Sequence, residues 1–158
     1  MSELAPTPLG EVKTRAPADV IVRGQATGFV QEITSGAHHL RADEPVSVGG
    51  TDTAPTPYDY VLAGLGACTS MTVGLYARRK KWPLDEVTVS LRHSRIHAQD
   101  CADCETKEGM LDRIEIEIGL TGNLSPEQRA KLIEIAGKCP VHRTLTSEID
   151  VKVKPAEA

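Results

Sequence analysis

The feature that most constrains the fold is a long segment, residues 57–81, in which a helical apolar pattern contains three glycines. Apolar or small side chains are spaced there as on one face of a helix. They are Val61, Leu65, Cys68, Thr72 and Leu75. The glycines are Gly64, Gly66 and Gly74. Each glycine inside a helix costs about 1 kcal/mol relative to alanine, so some packing gain must offset it. Close approach of another backbone is the usual gain, and we therefore expect a central, tightly packed helix.

Shorter segments on both sides of this helix alternate in the manner of strands. They lie at residues 20–26, 29–33, 38–42, 87–91, 114–120 and 148–154. A second helix is marked by Ser125 as N-cap, Pro126 as first helical residue and Gln128 at the capping-box position. The predicted order is β-β-β-α-β-β-α-β. This order indicates an α+β fold, a largely antiparallel sheet with helices on one face.

Composition limits the classes of function. The chain has 158 residues, 40% of them hydrophobic, and a net charge of −4 with acids and bases mixed along the chain, which argues against a nucleic-acid partner. No uninterrupted apolar run approaches the ~20 residues of a membrane span, so we expect no membrane partner. Residues 1–18 are interpreted as a flexible N-terminal arm and residues 19–158 as a single domain. The start lacks a signal-peptide pattern, which predicts a cytoplasmic protein whose cysteines are catalytic or metal-binding rather than paired in structural disulfides.

Two of the four cysteines occupy positions that suit thiol chemistry. Cys139 precedes Pro140, which can begin a new helical turn, so its thiol could be an N-cap where free backbone N–H groups stabilise a thiolate. Cys68 lies on the apolar face of the long helix, where a cysteine is usually a small buried hydrophobic residue. A reactive Cys68 needs a cation from elsewhere in the fold, and Arg41 and Arg143 are the candidates.

The other two cysteines, Cys101 and Cys104, form a C-x2-C pair in a polar stretch. With His93 and His97 the pattern is H-x3-H-x3-C-x2-C, which contains enough ligand types for zinc. Three interpretations stay open: a small zinc-binding module, a surface redox pair, and an unliganded loop. The compact spacing favours the unliganded loop over the zinc site, because structural zinc sites more often take their ligands from two separated pairs.

Two motifs in the chain resemble those of the OsmC/Ohr family of thiol-dependent peroxidases. They are GGTDTAPTPYDYVLAGLGACTSMTV at residues 49–73 and CPVHRTL at residues 139–145, and the resemblance runs from about Asp19 to Val153. The segment DCADCET at 100–106 is similar to an OsmC-like branch of that family. The resemblance implies an OsmC-like fold in which antiparallel sheets wrap around two long central helices in an intertwined homodimer.

The same resemblance implies a function and a role for each thiol. Cys68 matches the cysteine that attacks an organic hydroperoxide, Cys139 matches the resolving cysteine, and Arg41 is the best match for the family's arginine. The implied enzyme needs no metal, flavin or other cofactor and is regenerated by an external dithiol, often a lipoylated protein. The family's peroxidases have a glutamate ten residues before the nucleophile, whereas this chain has Tyr58 there, followed by Asp59.

The tyrosine leaves a second function open. A non-catalytic protein with the same fold could bind an apolar small molecule at the dimer interface, with the cysteines only lining the pocket. Retention of both Cys68 and Cys139 favours the peroxidase, and Tyr58 favours the binding protein.

Overall fold

A computed structural model describes residues 18–156 of the chain. The predicted N-terminal arm, residues 1–18, lies outside the described residues except for its last position. The chain divides into two compact units, residues 1–55 and 56–158, which are described separately below.

The first unit contains a three-stranded antiparallel sheet. Its strands are β1 (Ile21–Gly24), β2 (Gln31–Ser35) and β3 (His38–Ala42), with β2 in the centre. Ile33 of β2 is opposite Val22 on one side and Leu40 on the other. The three predicted strands are therefore confirmed, with the start of the second moved from residue 29 to Gln31.

A buried carboxylate organises the loop that follows this sheet. Asp43, 1% exposed, accepts hydrogen bonds from the backbone N–H groups of Glu44, Thr51 and Thr53 and from both threonine hydroxyls, at 2.6–3.2 Å. These hydrogen bonds, led by the one from the Thr51 hydroxyl and opposed by burial, hold the pKa of Asp43 far below its usual range. Hydrogen bonds to this carboxylate thus hold residues 43–53 together, in place of the backbone hydrogen bonds of a regular strand pair.

The second unit is built around the long predicted helix. Its elements are α1 (Pro57–Lys80), β4 (Leu84–His97), β5 (Met110–Gly122), α2 (Pro126–Ala136) and α3 (Pro140–Leu145). Thr56 and Asp59 form a capping box at the start of α1, and Ser125 and Gln128 form the predicted one at α2. Both satisfy backbone N–H groups that a helix start leaves without partners.

Strands β4 and β5 form one long antiparallel hairpin on which α1 packs. The register places Val89 opposite Ile118 and Leu91 opposite Ile116. One end of the hairpin joins α1 and α2 around a core centred on Val73 and Leu132, both fully buried. This packing covers one side of α1 with aliphatic side chains.

The face of α1 that this packing buries differs from the predicted one. Val61 and Leu75 of the predicted stripe are each 42% exposed, whereas the buried positions are Leu65, Gly66, Thr69, Val73 and Ala77. The prediction was wrong here because α1 is apolar nearly all round, so periodicity alone does not select a face. By length and composition α1 could even cross a membrane, a test that core helices of soluble proteins also pass.

The approach of another backbone expected at the helix glycines is not seen among the described residues, but a side chain approaches closely at one of them. A Cβ at Gly66 would lie 2.7 Å from Cδ1 of Leu91, too close for real atoms, whereas one at Gly64 would meet no described atom within 4 Å. The absence of a side chain at Gly66 therefore lets β4 approach α1.

The last predicted strand, residues 148–154, is wrong for the single chain. These residues form no regular element, and Ile149, Val151 and Val153 are 52%, 77% and 95% exposed. An alternating apolar sequence becomes a strand only when a strand edge is available to pair with it, and within the described residues this segment pairs with none.

Candidate functional site: a buried thiol pair

The site forms where the chain leaves α2 and starts α3. Cys139 is the N-cap of α3 and Pro140 its first residue, as expected from the sequence. The Cys139 Sγ accepts a hydrogen bond from the backbone N–H of His142 at 3.2 Å. The side chain is fully buried, so this thiol faces the protein interior.

Helix α1 supplies the other side of the site. The Thr69 hydroxyl lies 3.6 Å from Cys139 Sγ and also donates to the carbonyl of Leu65, one turn earlier, at 2.8 Å. The Cys68 thiol is also within hydrogen-bonding reach of Cys139. Residues that are about 70 positions apart in sequence are thus brought into contact because α3 packs on α1.

These contacts change the acidity of Cys139. Burial raises the pKa of a thiol, but hydrogen bonds from the His142 N–H, the Thr69 hydroxyl, the Cys68 thiol and the Val141 N–H outweigh it, so the pKa of Cys139 lies below its usual value. Thiolate character at a buried sulfur next to a second thiol suits disulfide formation, in which a thiolate attacks the neighbouring sulfur.

Cys68 is only half-buried, unlike Cys139. It precedes the buried Thr69 on α1 and therefore lies at the margin between the covered and open sides of the helix. The two cysteines therefore differ in access, with a half-buried sulfur beside a fully enclosed one. Their individual roles stay predictions.

The two candidate arginines lie in different parts of the chain. Arg41, on β3 of the first unit, forms an ion pair with Glu32 across the sheet at 3.1 Å. Arg143, on α3, is exposed, and its backbone N–H donates to the carbonyl of Cys139 at 3.1 Å. The role predicted for Arg41 at Cys68 stays a prediction.

A polar cluster that the sequence reasoning did not find occupies the start of α1. Tyr58 stacks on the ring of His93 with 4.4 Å between centroids, and His93 Nε2 lies 2.9 Å from a carboxylate oxygen of Asp112. The residue in place of the family's glutamate is thus held against β4 by ring stacking. The contact between His93 and Asp112 depends on the strand register, which pairs Ser94 with Arg113 and Arg95 with Asp112. Only knowledge of that register could have predicted it.

Cys101 and Cys104 are joined by a disulfide, which corrects the expectation of an unliganded loop. The two-residue spacing brings their Cα atoms to 5.4 Å, inside the range that a disulfide spans. His93 is engaged by Tyr58 and Asp112, and the described residues contain no group of three potential metal ligands. Because the two sulfurs are bonded to each other in this structure, neither is a free thiolate that could bind a metal ion.

Comparison with known proteins identifies the family. A family model described as OsmC-like protein matches residues 50–154, about two thirds of the chain. The chain belongs to the OsmC family. The comparison with curated proteins finds no match.

Solved structures show the same fold at low sequence identity. An organic hydroperoxide resistance protein OsmC from Legionella pneumophila is 24% identical, with a TM-score of 0.59 over 84% of this chain and 91% of its own. An organic hydroperoxide resistance protein from Elizabethkingia anophelis is 23% identical to this chain, with a TM-score of 0.61 over 89% of this chain and 95% of its own. The organic hydroperoxide resistance protein OhrB of Bacillus subtilis is also 23% identical, with a TM-score of 0.57 over 86% of this chain and 95% of its own. The chain therefore has the mixed α+β OsmC-like fold with antiparallel sheets.

Proposed function

We propose that this OsmC-family protein is a cytosolic, thiol-dependent peroxidase that reduces organic hydroperoxides through Cys68 and Cys139. One observation carries the proposal: a half-exposed thiol on α1 contacts a buried thiol whose pKa is lowered by the start of α3. The similarity to proteins named for organic hydroperoxide resistance supports the choice of substrate.

In the first step Cys68 is the nucleophile because it is the accessible sulfur. Its thiolate attacks the outer peroxide oxygen, the O–O bond breaks, and the alcohol leaves with a proton while Cys68 becomes a sulfenic acid. The adjacent Cys139 thiolate, which accepts a hydrogen bond from the Cys68 thiol, takes the thiol proton of Cys68 beforehand and so generates the Cys68 thiolate. Cys139 then passes this proton to the leaving alkoxide, which becomes the alcohol, and returns to the thiolate.

In the second step Cys139 resolves the sulfenic acid. Its thiolate attacks the Cys68 sulfur, a disulfide forms, and hydroxide leaves and is protonated to water. The lowered pKa of Cys139 raises the fraction of this buried sulfur that is in its reactive thiolate form at a given pH. An external dithiol, such as a protein-bound lipoyl group, then reduces the disulfide and restores both thiols.

The proposed enzyme is a homodimer formed on the open side of α1. Val61, Met71 and Leu75 leave 42%, 71% and 42% of their surface exposed there. An α-helix that is apolar all round is normally enclosed on all sides, and Gly64 leaves room for a second backbone on this side. Two copies of α1 would then be the two central helices that the sequence predicts.

The test is hydroperoxide consumption by the reduced full-length protein with a dithiol reductant. Cumene hydroperoxide and hydrogen peroxide are compared for wild type, Cys68→Ser and Cys139→Ser. We expect Cys68→Ser to abolish turnover. Cys139→Ser should retain one rapid equivalent of peroxide loss and accumulate a sulfenic acid at Cys68, which dimedone traps as a mass increase.

Unchanged turnover in Cys68→Ser contradicts the proposal. An inactive wild type that co-purifies with an apolar molecule in native mass spectrometry supports the binding protein instead. Thr72→Val, on the same helix and not among the hydrogen-bond partners described for Cys139, controls for general damage to α1.

A further inference from the structure

We propose that the Cys101–Cys104 disulfide is a second redox site that exchanges two electrons with an external dithiol of neutral or positive charge. This site is separate from the proposed peroxidase and does not depend on it. The proposal rests on how the hairpin holds the loop, on the exposure of the pair, and on the charges around it.

The loop does not need the disulfide to hold its ends together. Residues 98–109 join β4 to β5, whose ladder runs up to the pair His97 and Met110. Beyond that pair the Ala98 N–H donates to the carbonyl of Gly109 at 2.8 Å, and Ala98 is fully buried. A disulfide that closes so short a loop, within ends already fixed, removes little entropy from the unfolded chain. A structural staple is therefore a poor explanation of this pair.

The disulfide is open to attack. Cys101 and Cys104 are half-buried, whereas Ala102 and Asp103 between them are exposed. Thiol–disulfide exchange requires an incoming thiolate to reach one sulfur, so access decides whether a disulfide reacts. The C-x2-C spacing is also that of thioredoxin-like redox motifs, although here it lies in a hairpin loop.

Within one chain this pair lies far from Cys68. Tyr58, near the start of α1, stacks on His93, and Gly66 faces Leu91, so α1 runs away from the loop. Cys68 is ten residues beyond Tyr58, about 15 Å along the axis. The loop begins five residues beyond His93, about 17 Å in the other direction. The two pairs therefore react independently within a chain.

The charge of the loop selects the partner. Residues 98–109 include four acids, Asp100, Asp103, Glu105 and Glu108, and one base, Lys107, a net charge of −3. All five are exposed, and the Lys107 Nζ donates to the carbonyl of Ala102 at 3.3 Å. Negative potential repels anionic thiols and attracts neutral or cationic ones.

The exchange balances within the named partners. A thiolate of the external dithiol attacks Cys101 or Cys104 and displaces the other sulfur, which takes a proton. The second thiol of the partner then attacks the mixed disulfide. Cys101 and Cys104 end as thiols and the partner as a disulfide, so two electrons and two protons have moved.

The first experiment titrates the folded, full-length protein with mixtures of reduced and oxidised dithiothreitol. Free thiols are trapped with N-ethylmaleimide, and the tryptic peptide 96–107 carries both cysteines of the pair. We expect zero or two labels with a two-electron slope, and the same midpoint ratio, within about twofold, in the Cys68→Ser/Cys139→Ser variant. Thermal melting of Cys101→Ser/Cys104→Ser should shift by no more than about 4 °C.

Four results overturn the proposal. The first is a disulfide that stays closed in excess reduced dithiothreitol until the protein unfolds. The second is a pair of thiols that stays open in excess oxidised dithiothreitol. A melting shift well above that limit identifies a structural staple. Added zinc that blocks reoxidation at one equivalent per chain identifies a metal site.

The second experiment tests the partner's charge. Rates of reduction by cysteamine and by 3-mercaptopropionate are compared per thiolate, at low and high salt. We expect a several-fold preference for the cationic thiol at low salt that shrinks at high salt, because salt screens exposed charges. Asp103→Asn should reduce this preference, whereas Glu86→Gln, at the far end of β4, should not. An equal or inverted preference refutes the proposed class of partner.

Discussion

Removing the Thr69 hydroxyl tests whether the surroundings of Cys139 set its reactivity. Thr69→Val keeps the shape of this buried side chain but deletes the group 3.6 Å from Cys139 Sγ. We expect the pKa of Cys139 to rise, because one of the hydrogen bonds that lower it is lost. The N–H groups of His142 and Val141 remain, so the rise should be partial.

The size of this effect follows from the strength of one hydrogen bond. Hydrogen bonds to charged groups contribute about 1.5–3 kcal/mol. The Thr69 hydroxyl is shared with the Leu65 carbonyl and its distance to the sulfur is long, so a contribution of about 1 kcal/mol is expected. Where the thiol form predominates, the thiolate fraction then falls about fivefold.

The assay is a single turnover with one equivalent of cumene hydroperoxide, followed by quenching and counting of free thiols. Disulfide formation at neutral pH should slow about fivefold in Thr69→Val, approach the wild-type rate at high pH, and change little in Thr69→Ser. A deficit that persists at every pH shows that the variant disturbs geometry rather than acidity. An unchanged rate at neutral pH refutes a role of the hydroxyl. Thr72→Val provides the matched control.

Three further predictions concern packing, the proposed dimer interface and the buried carboxylate. Gly66→Ala should lower the free energy of unfolding, measured with urea, by up to about 2 kcal/mol, because overpacking against Leu91 exceeds the gain in helix propensity. Gly64→Ala should instead weaken dimerisation, measured by analytical ultracentrifugation. A dimer of unchanged stability rejects the proposed interface. Asp43→Asn should lower the melting temperature at pH 7, because an amide NH2 cannot accept the bonds from Thr51 and Thr53. Because the pKa of Asp43 is lowered in the folded state, the stabilisation that its carboxylate provides is complete above about pH 4 and decreases below it. The difference in melting temperature between wild type and Asp43→Asn should therefore narrow in acid. A difference that stays constant with pH contradicts this account.

Local signals in the sequence predicted most of the elements. Ser125, Pro126 and Gln128 set the start of α2 because a capping box satisfies its N–H groups within four residues. Pro140 marked Cys139 as an N-cap for a similarly local reason. Alternation predicted β4 and β5 but underestimated their length, because the pattern weakens toward the polar end of the hairpin while the ladder continues.

The sequence by itself determined the family, the antiparallel α+β elements and the identity of the two candidate thiols, because these depend on short motifs and local hydrogen bonds. Only the tertiary structure decided which face of α1 is buried, since a helix that is apolar all round fits several packings equally. It also decided that Cys68 and Thr69 meet Cys139, that Tyr58 stacks on His93 and that Cys101 pairs with Cys104. Such contacts depend on the crossing of elements and on strand register, which no local pattern specifies.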